Sequence, residues 1–311
     1  MKTNKFYLIA ALLGVMFTAC QKEQAFDKPE ETPETVNVWT LTVHVNTDRD
    51  TKAMSYDGTS ISTSWAKDEK VDVYFGGKHI GTLTADAAGT STTLQGNVTK
   101  PDGLGNNSKL MLLFPGRTDH QWTYMGQDGT APSQDGTMAT KFDYAKATLT
   151  VDSVDDVNKQ ISAVIADAEN DNFKSQQSVY RIGFKLDDDS FIEAKSFTVC
   201  SDQNKLVRSL SGSEWTPEYG YLSLTASNPS SKVYFMSIRN DNTSANDKYT
   251  FSVIGTDDAL YEGSKTIPAA NLGNGKFIGL NNANPGKGLY VSKKSLEPAT
   301  PGVIDDPLEV I

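Results

Sequence analysis

Trp39-Thr40-Leu41-Thr42-Val43-His44-Val45 alternates large apolar with polar side chains. Successive side chains of an extended chain point to opposite faces, so this spacing predicts a half-buried strand. Trp39, Leu41, Val43 and Val45 lie on its buried face, and Thr40, Thr42 and His44 on the other. Residues 46–58 break the pattern with polar side chains and read as a loop. Val71, Val73 and Phe75 resume it and close on Gly76-Gly77, a hairpin turn signal. Residues 79–85, 92–98 and 147–151 continue as strands, and the apolar run 110–114, ended by Pro115-Gly116, reads as a strand buried on both sides. Residues 117–146, rich in Gly, Asp, Ser and Thr, read as long surface loops carrying Trp122 and Tyr124. Residues 154–177 could form a helix, with Val157, Ile161, Val164 and Ile165 inside, or a strand with a crossing loop; the second is preferred because strands flank the segment on both sides.

A second run of strands begins near Ser178. Tyr180, Ile182, Phe184 and Leu186 share a face, and the habit recurs at Phe197 and Val199, at Leu222 and Leu224, at Tyr234, Met236 and Ile238, at Tyr249, Phe251 and Val253, and across 276–280. Turn residues such as Asp187-Asp188-Asp189, Asn228-Pro229 and Asp257-Asp258 separate them. Many short strands divided by turn signals predict an all-β chain of β-sandwich type. Its expected parts are 36–174 and 175–288, followed by a tail, 289–311. In that tail Leu289 and Val291 alternate with polar neighbours, Pro298, Pro301 and Pro307 bar a regular central strand, and Leu308 and Val310 end the chain on an apolar alternation. The tail either lies on its own domain or forms an arm for a neighbour.

Residues 1–19 read as a secretory signal peptide. Lys2 and Lys5 precede an uncharged apolar run, and small residues then lead to Cys20. The run is too short for a stable transmembrane helix. Residues 20–35 are polar, acidic and proline-bearing, the composition of a flexible tether. The chain of 311 residues carries a net charge of −10, which argues against nucleic acid as a partner and against adsorption to anionic lipid by charge. With Cys20 set aside, Cys200 is the one remaining cysteine and reads as a small strand residue.

No arrangement of residues announces catalysis, so the chain is not expected to be an enzyme. His44, His79 and His120 are scattered, and the H-E-x-x-H, C-x-x-C and G-x-S-x-G patterns do not occur. Gly103-Leu104-Gly105 lacks the third glycine of a dinucleotide loop, and the Asp runs lack the spacing of a calcium loop. No cofactor or metal is expected. Trp65, Trp122 and Trp215 could offer a platform to a sugar but read as core.

Several segments together resemble the Bacteroidetes fimbrillin (type V pilin) family. They are the stretch before Cys20, which is similar to a bacterial lipobox; Thr51-Lys52-Ala53; Ser64-Trp65-Ala66-Lys67-Asp68-Glu69-Lys70-Val71-Asp72-Val73-Tyr74; Leu112-Leu113-Phe114-Pro115-Gly116; Gln177-Ser178-Val179-Tyr180-Arg181-Ile182-Gly183-Phe184; and Lys232-Val233-Tyr234-Phe235-Met236. Asp68-Glu69 stands where that family commonly has Gly-Asp. The resemblance implies two tandem transthyretin-like β-sandwich domains and lipidation at Cys20, which would place the chain on the outer membrane surface. It implies cutting by a processing protease at Arg49 or Lys52, with loss of strand 36–45. It further implies refilling of the vacated groove by a donor strand from another fimbrial subunit, for which Leu289, Val291, Leu308 and Val310 are the candidates here. The function so implied is a structural or adhesive subunit of a cell-surface fimbrium, with a host or bacterial surface ligand as a further partner. The alternative is a surface glycan-binding lipoprotein of a nutrient-uptake system.

Overall fold

Strict alternation in the first described strand is matched by its burial. Trp39, Leu41, Val43 and Val45 are each at most 1% exposed, while Thr42 and His44 face outward. The computed structural model describes residues 37–46, 54–133, 136–212, 215–242, 244–280 and 289–294. All of them belong to the unit Asn37–Ile311. Its strands, in chain order, are Val38–Asn46 (β1), Ser55–Tyr56 (β2), Ile61–Ser62 (β3), Lys70–Phe75 (β4), Lys78–Ala85 (β5), Ser91–Thr99 (β6), Lys109–Phe114 (β7), Gln121–Thr123 (β8), Ala145–Asp155 (β9), Gln160–Val164 (β10), Lys174–Ser175 (β11) and Ser178–Ile182 (β12). They continue as Phe184–Lys185 (β13), Phe191–Ile192 (β14), Ala194–Ser201 (β15), Val207–Ser211 (β16), Thr216–Tyr219 (β17), Leu222–Thr225 (β18), Tyr234–Ile238 (β19), Asp247–Gly255 (β20), Leu260–Ile267 (β21), Phe277–Leu280 (β22), Leu289–Tyr290 (β23) and Ser292–Lys293 (β24). Helix among the described residues is confined to Thr137–Lys141 (α1) and a 3-10 turn at Ala269–Asn271. The described residues are nearly all β, as the patterning predicts.

The first half forms one sheet in the order β10-β1-β6-β5-β4-β7-β9-β11, and β9 also pairs with β10, so the sheet closes on itself. Closure is possible because β9 is long. Its residues 145–150 pair with β7 and residues 150–155 reach β10. Gly76 and Gly77, at φ 54° and 78°, make the tight β4–β5 hairpin, where only positive φ matches the strands' twist. Asp68 sits at φ 68°, the left-handed region that glycine prefers and Asp tolerates. The core of this half runs through Trp39, Trp65, Leu83, Leu112 and Leu149.

The second half contains the sheet β18-β15-β20-β21-β24 and the smaller sheet β19-β12-β22. Tyr180, Ile182, Met236, Phe251 and Val253 fill the core there. The other face of β12, β19 and β22 presents Val179, Phe235 and Phe277, and the β2–β3 hairpin brings Met54 and Tyr56 to it.

Residues 117–146 are not the surface loops expected. Trp122, Tyr124 and Tyr144 are 0% exposed and belong to the second half's core, and β8 pairs with β16. The polar residues around them masked this in the sequence, because the burying partners, Trp215 and Leu210, lie some ninety residues downstream. Residues 154–177 form the end of β9, a tight turn, β10, a crossing loop and the short β11, with no long helix. The loop expected over 46–58 ends earlier, since Ser55 and Tyr56 already pair with β3.

Candidate functional site

The strand whose alternation decides the fold is also held in a way that matters for function. β1 pairs antiparallel with β6 along its whole length, from Val38↔Thr99 to Asn46↔Ser91. On its other side it pairs in parallel with β10, over Thr40↔Gln160 to Thr42↔Ser162. It is therefore an interior strand, paired along its whole length with β6 and over Thr40–Thr42 with β10, and its four apolar side chains plug the core between. The Trp39 indole N–H donates to Asn37 Oδ1 at 2.7 Å, and the Lys100 and Lys159 ammonium groups sit 5.3 and 4.7 Å from its ring. Without β1, facing edges on β6 and β10 would be left unpaired beside an apolar trough. Such a groove accepts an extended chain with alternate apolar residues.

Downstream, the chain is anchored independently. Met54 is 4% exposed and packs with Val179 and Phe235 of the second half. The Tyr56 ring lies 5.0 Å from that of Phe235 and 5.5 Å from that of Phe277, and its amide donates to Pro132 O at 2.9 Å. Arg49 and Lys52 fall between β1 and this anchor, outside the described residues, as do Cys20, Leu308 and Val310.

Leu289 and Val291 are described, and they are seated in this chain's own core at 0% and 3% exposure. β23 pairs in parallel with β13 through Phe184↔Leu289, and the Val291 amide donates to Lys185 O at 2.8 Å. β24 pairs with β21. The Tyr290 hydroxyl donates to Asp189 Oδ1 at 2.6 Å, and Lys293 Nζ lies 3.1 Å from Asp257 Oδ2. At Leu289 and Val291 the tail thus lies on its own domain, one of the two placements that its pattern allows. The sequence shows only a short apolar pair among prolines, and its partner strand lies about a hundred residues upstream.

One cluster escaped the sequence. His79 Nε2 and His120 Nδ1 lie 3.4 and 3.7 Å from the Asp72 carboxylate, with their rings 4.8 Å apart. Asp72 is buried and accepts from Thr82 Oγ1 at 2.9 Å and from the Arg117 amide at 2.7 Å. The Tyr74 hydroxyl is 2.8 Å from His120 Nδ1, and burial, followed by the Asp72 charge, pushes the phenol up to about 12. The signal for half of this cluster was the Gly76-Gly77 turn, which sets Tyr74 opposite His79. His120 arrives from a segment read as loop. Among the described residues no group of three or more His, Cys, Asp or Glu is arranged to hold a metal ion. Trp65, Trp122 and Trp215 are buried at 0%, 0% and 4% exposure, so they are core and offer no platform. Cys200 is exposed at the end of β15.

No family model matches the chain, and no curated protein does. Among solved structures it is similar to a candidate cell adhesion protein from Bacteroides ovatus, at 14% identity over 82% of this chain and 95% of that one, with a TM-score of 0.39. It is similar to a second such protein from Bacteroides uniformis, at 14% identity over 84% and 97%, TM-score 0.39. It is also similar to the C-terminally truncated tip fimbrial protein of Porphyromonas gingivalis, at 8% identity over 82% and 99%, TM-score 0.36. At these identities and TM-scores the likeness carries no assignment for this chain.

Proposed function

We propose that this chain is a structural or adhesive subunit of a cell-surface fimbrium, built from two transthyretin-like sandwiches, 36–174 and 175–288, the second completed by β8, β23 and β24, and assembled by strand exchange. The observation that carries the reading is the placement of β1. It is an interior strand plugging one core, and the chain re-anchors at Met54 in another. A cut at Arg49 or Lys52 would free β1 on its C-terminal side without loosening the Met54 anchor. The vacated trough would then take a donor strand from a neighbouring subunit. Leu289 and Val291 support the root of the donor arm, because they are held in their own core, and Leu308 and Val310 supply its apolar alternation. Cys20 carries the lipid that holds the precursor at the outer membrane surface until a processing protease cuts it.

The test is to shear filaments from cells that express the chain and sequence the N-terminus of the subunit in them. Starts directly after Arg49 or Lys52 are expected, and deletion of 295–311 should leave the cut but abolish the oligomer ladder. Filament subunits that still contain residues 38–46, or ladders that survive the deletion, would overturn the proposal.

A further inference from the structure

Arg181 lies on β12 between Phe235 of β19 and Gly279 of β22. It is on the face of that sheet turned away from the main core, with Val179 two residues before it. Its neighbours there are apolar or aromatic, and its guanidinium carbon stands 6.0 Å from the Tyr56 ring. Its Nε is buried without a hydrogen-bond partner, and among the described residues no ion pair engages its head. A buried Nε without an acceptor is costly, because it has lost water and gained no hydrogen bond. Arg117, Arg208 and Arg239 also bury one unpaired nitrogen each, but each head has an acceptor elsewhere, for Arg117 the Lys141 carbonyl at 3.1 Å. Arg239 has Asp241 at 2.8 Å and Arg208 has Glu218 at 3.4 Å.

Arg181 borders a cleft of about 370 Å³, within the size range of small-ligand sites. One wall is the 128–131 strap, which crosses from the first half, and the other is the 227–231 loop. Thr130, Asn228 and Ser231 bring neutral polar groups to the rim, and Val233 and Phe235 line an apolar side. Asp128 is also at the rim. Burial works to raise its carboxyl, but hydrogen bonds from Thr137 and Thr130 outweigh that and hold it below the ordinary carboxylate value. Asp128 repels a phosphate dianion more strongly than a carboxylate monoanion, so beside Arg181 it favours the guest of lower negative charge. A guanidinium fork matches a carboxylate in bidentate geometry. The remaining lining, neutral polar groups beside an apolar wall, matches a ring of hydroxyls with an apolar face.

We propose that the cleft between the 128–131 strap and the 227–231 loop is a binding site for an acidic sugar, with Arg181 receiving the carboxylate. The site deepens the adhesive reading above and rests on it for the biological source of the sugar. The full chain is titrated with glucuronate, glucose, N-acetylglutamate and inorganic phosphate, and binding is read by calorimetry and amide chemical shifts. Glucuronate is expected to bind at least tenfold more tightly than the other three and to shift amides at 128–131 and 227–231. Arg181→Gln should lose that binding at least tenfold, and Arg181→Lys should restore part of it. Asp128→Asn should tighten it, an effect that a merely structural role for the loop would not produce. Unchanged melting temperatures check that the variants are folded. Equal binding of glucose and glucuronate overturns the proposal, as does unchanged affinity in Arg181→Gln. Tighter N-acetylglutamate or phosphate overturns the sugar assignment. Arg181→Gln subunits should still enter filaments, so failure of this site and failure of strand exchange are read separately.

Discussion

Leu41 sits at the middle of β1, fully buried, opposite Gly96 on β6 and Ile161 on β10. Leu41→Ala leaves every backbone pairing available and removes only buried methylenes. Truncations of this kind cost about 2–5 kcal/mol. His44 lies on the same strand but faces outward, and His44→Ala should change stability by no more than about 0.5 kcal/mol. The contrast is read first in urea, where the midpoint of Leu41→Ala should fall without a change in slope. It is read again after limited trypsin cutting between β1 and Met54, by following the N-terminal fragment on size exclusion. With about 1.4 kcal/mol per factor of ten, the retention equilibrium should weaken about thirty-fold to several-thousand-fold for Leu41→Ala and hardly at all for His44→Ala. If the two variants release the fragment alike, side-chain burial does not hold β1 in its groove. An apolar donor strand would then have no reason to replace it.

A Cβ at Gly263 would lie 2.1 Å from the Tyr290 carbonyl oxygen, so Gly263→Ala should push residues 289–294 off β21. We expect a loss of about 1–3 kcal/mol in a thermal or urea melt, with β1 retention unaffected. The same segment should respond to acid. Asp189 is held below the ordinary value of 3.8 by the Tyr290 hydroxyl and then by Lys185, and Asp257 is held below it by the Tyr261 hydroxyl, with Lys293 adding to the effect. A depressed carboxyl stabilises the fold above its unfolded pKa and loses that contribution as the pH falls through the folded one. Hydrogen-exchange protection at 289–294, corrected for intrinsic rates, should therefore fall between neutral pH and pH values below the ordinary carboxylate range, ahead of β15 and β20. Trp122→Ala should cost about 3–5 kcal/mol and abolish the near-ultraviolet signal of the Trp122–Trp215 pair, whose rings are 5.2 Å apart. A surface loop would show neither effect.

What was legible in the sequence was local. Period-two alternation named Trp39, Leu41, Val43 and Val45, and the same rule found the strands around Val71, Phe197 and Phe251. The glycine pair named its turn because positive φ leaves few other choices. What stayed hidden depends on contacts between distant residues. Trp122 and Tyr124 lie in a stretch of Gly, Asp and Thr, and only β16 and Trp215 reveal that the stretch is a strap across the second core. Leu289 and Val291 gave two apolar residues, too few to distinguish a free arm from a core strand, and pairing with β13 decides between them. Arg181 carries no signal in the sequence beyond its place between Tyr180 and Ile182. That its buried Nε has no acceptor shows only when the 128–131 strap and the 227–231 loop are in place around it.

Loss of a whole interior strand would ordinarily unmake a sheet, and three separate clusters explain why it need not do so here. β1 contributes its apolar side chains to the first core alone. Met54 and the β2–β3 hairpin belong to the patch on Val179 and Phe235. Tyr74 of β4 and Leu113 of β7 point away from the first core into the second, beside Trp122 and Tyr144. Strands β4 and β7 thus remain clamped to the second half whether or not β1 is present. Its absence would expose edges on β6 and β10 while leaving the clamp and the hairpin anchor in place. A trough with a fixed back wall and a missing front strand is preorganised, so an incoming strand orders mainly itself, and that lowers the entropic cost of joining two subunits.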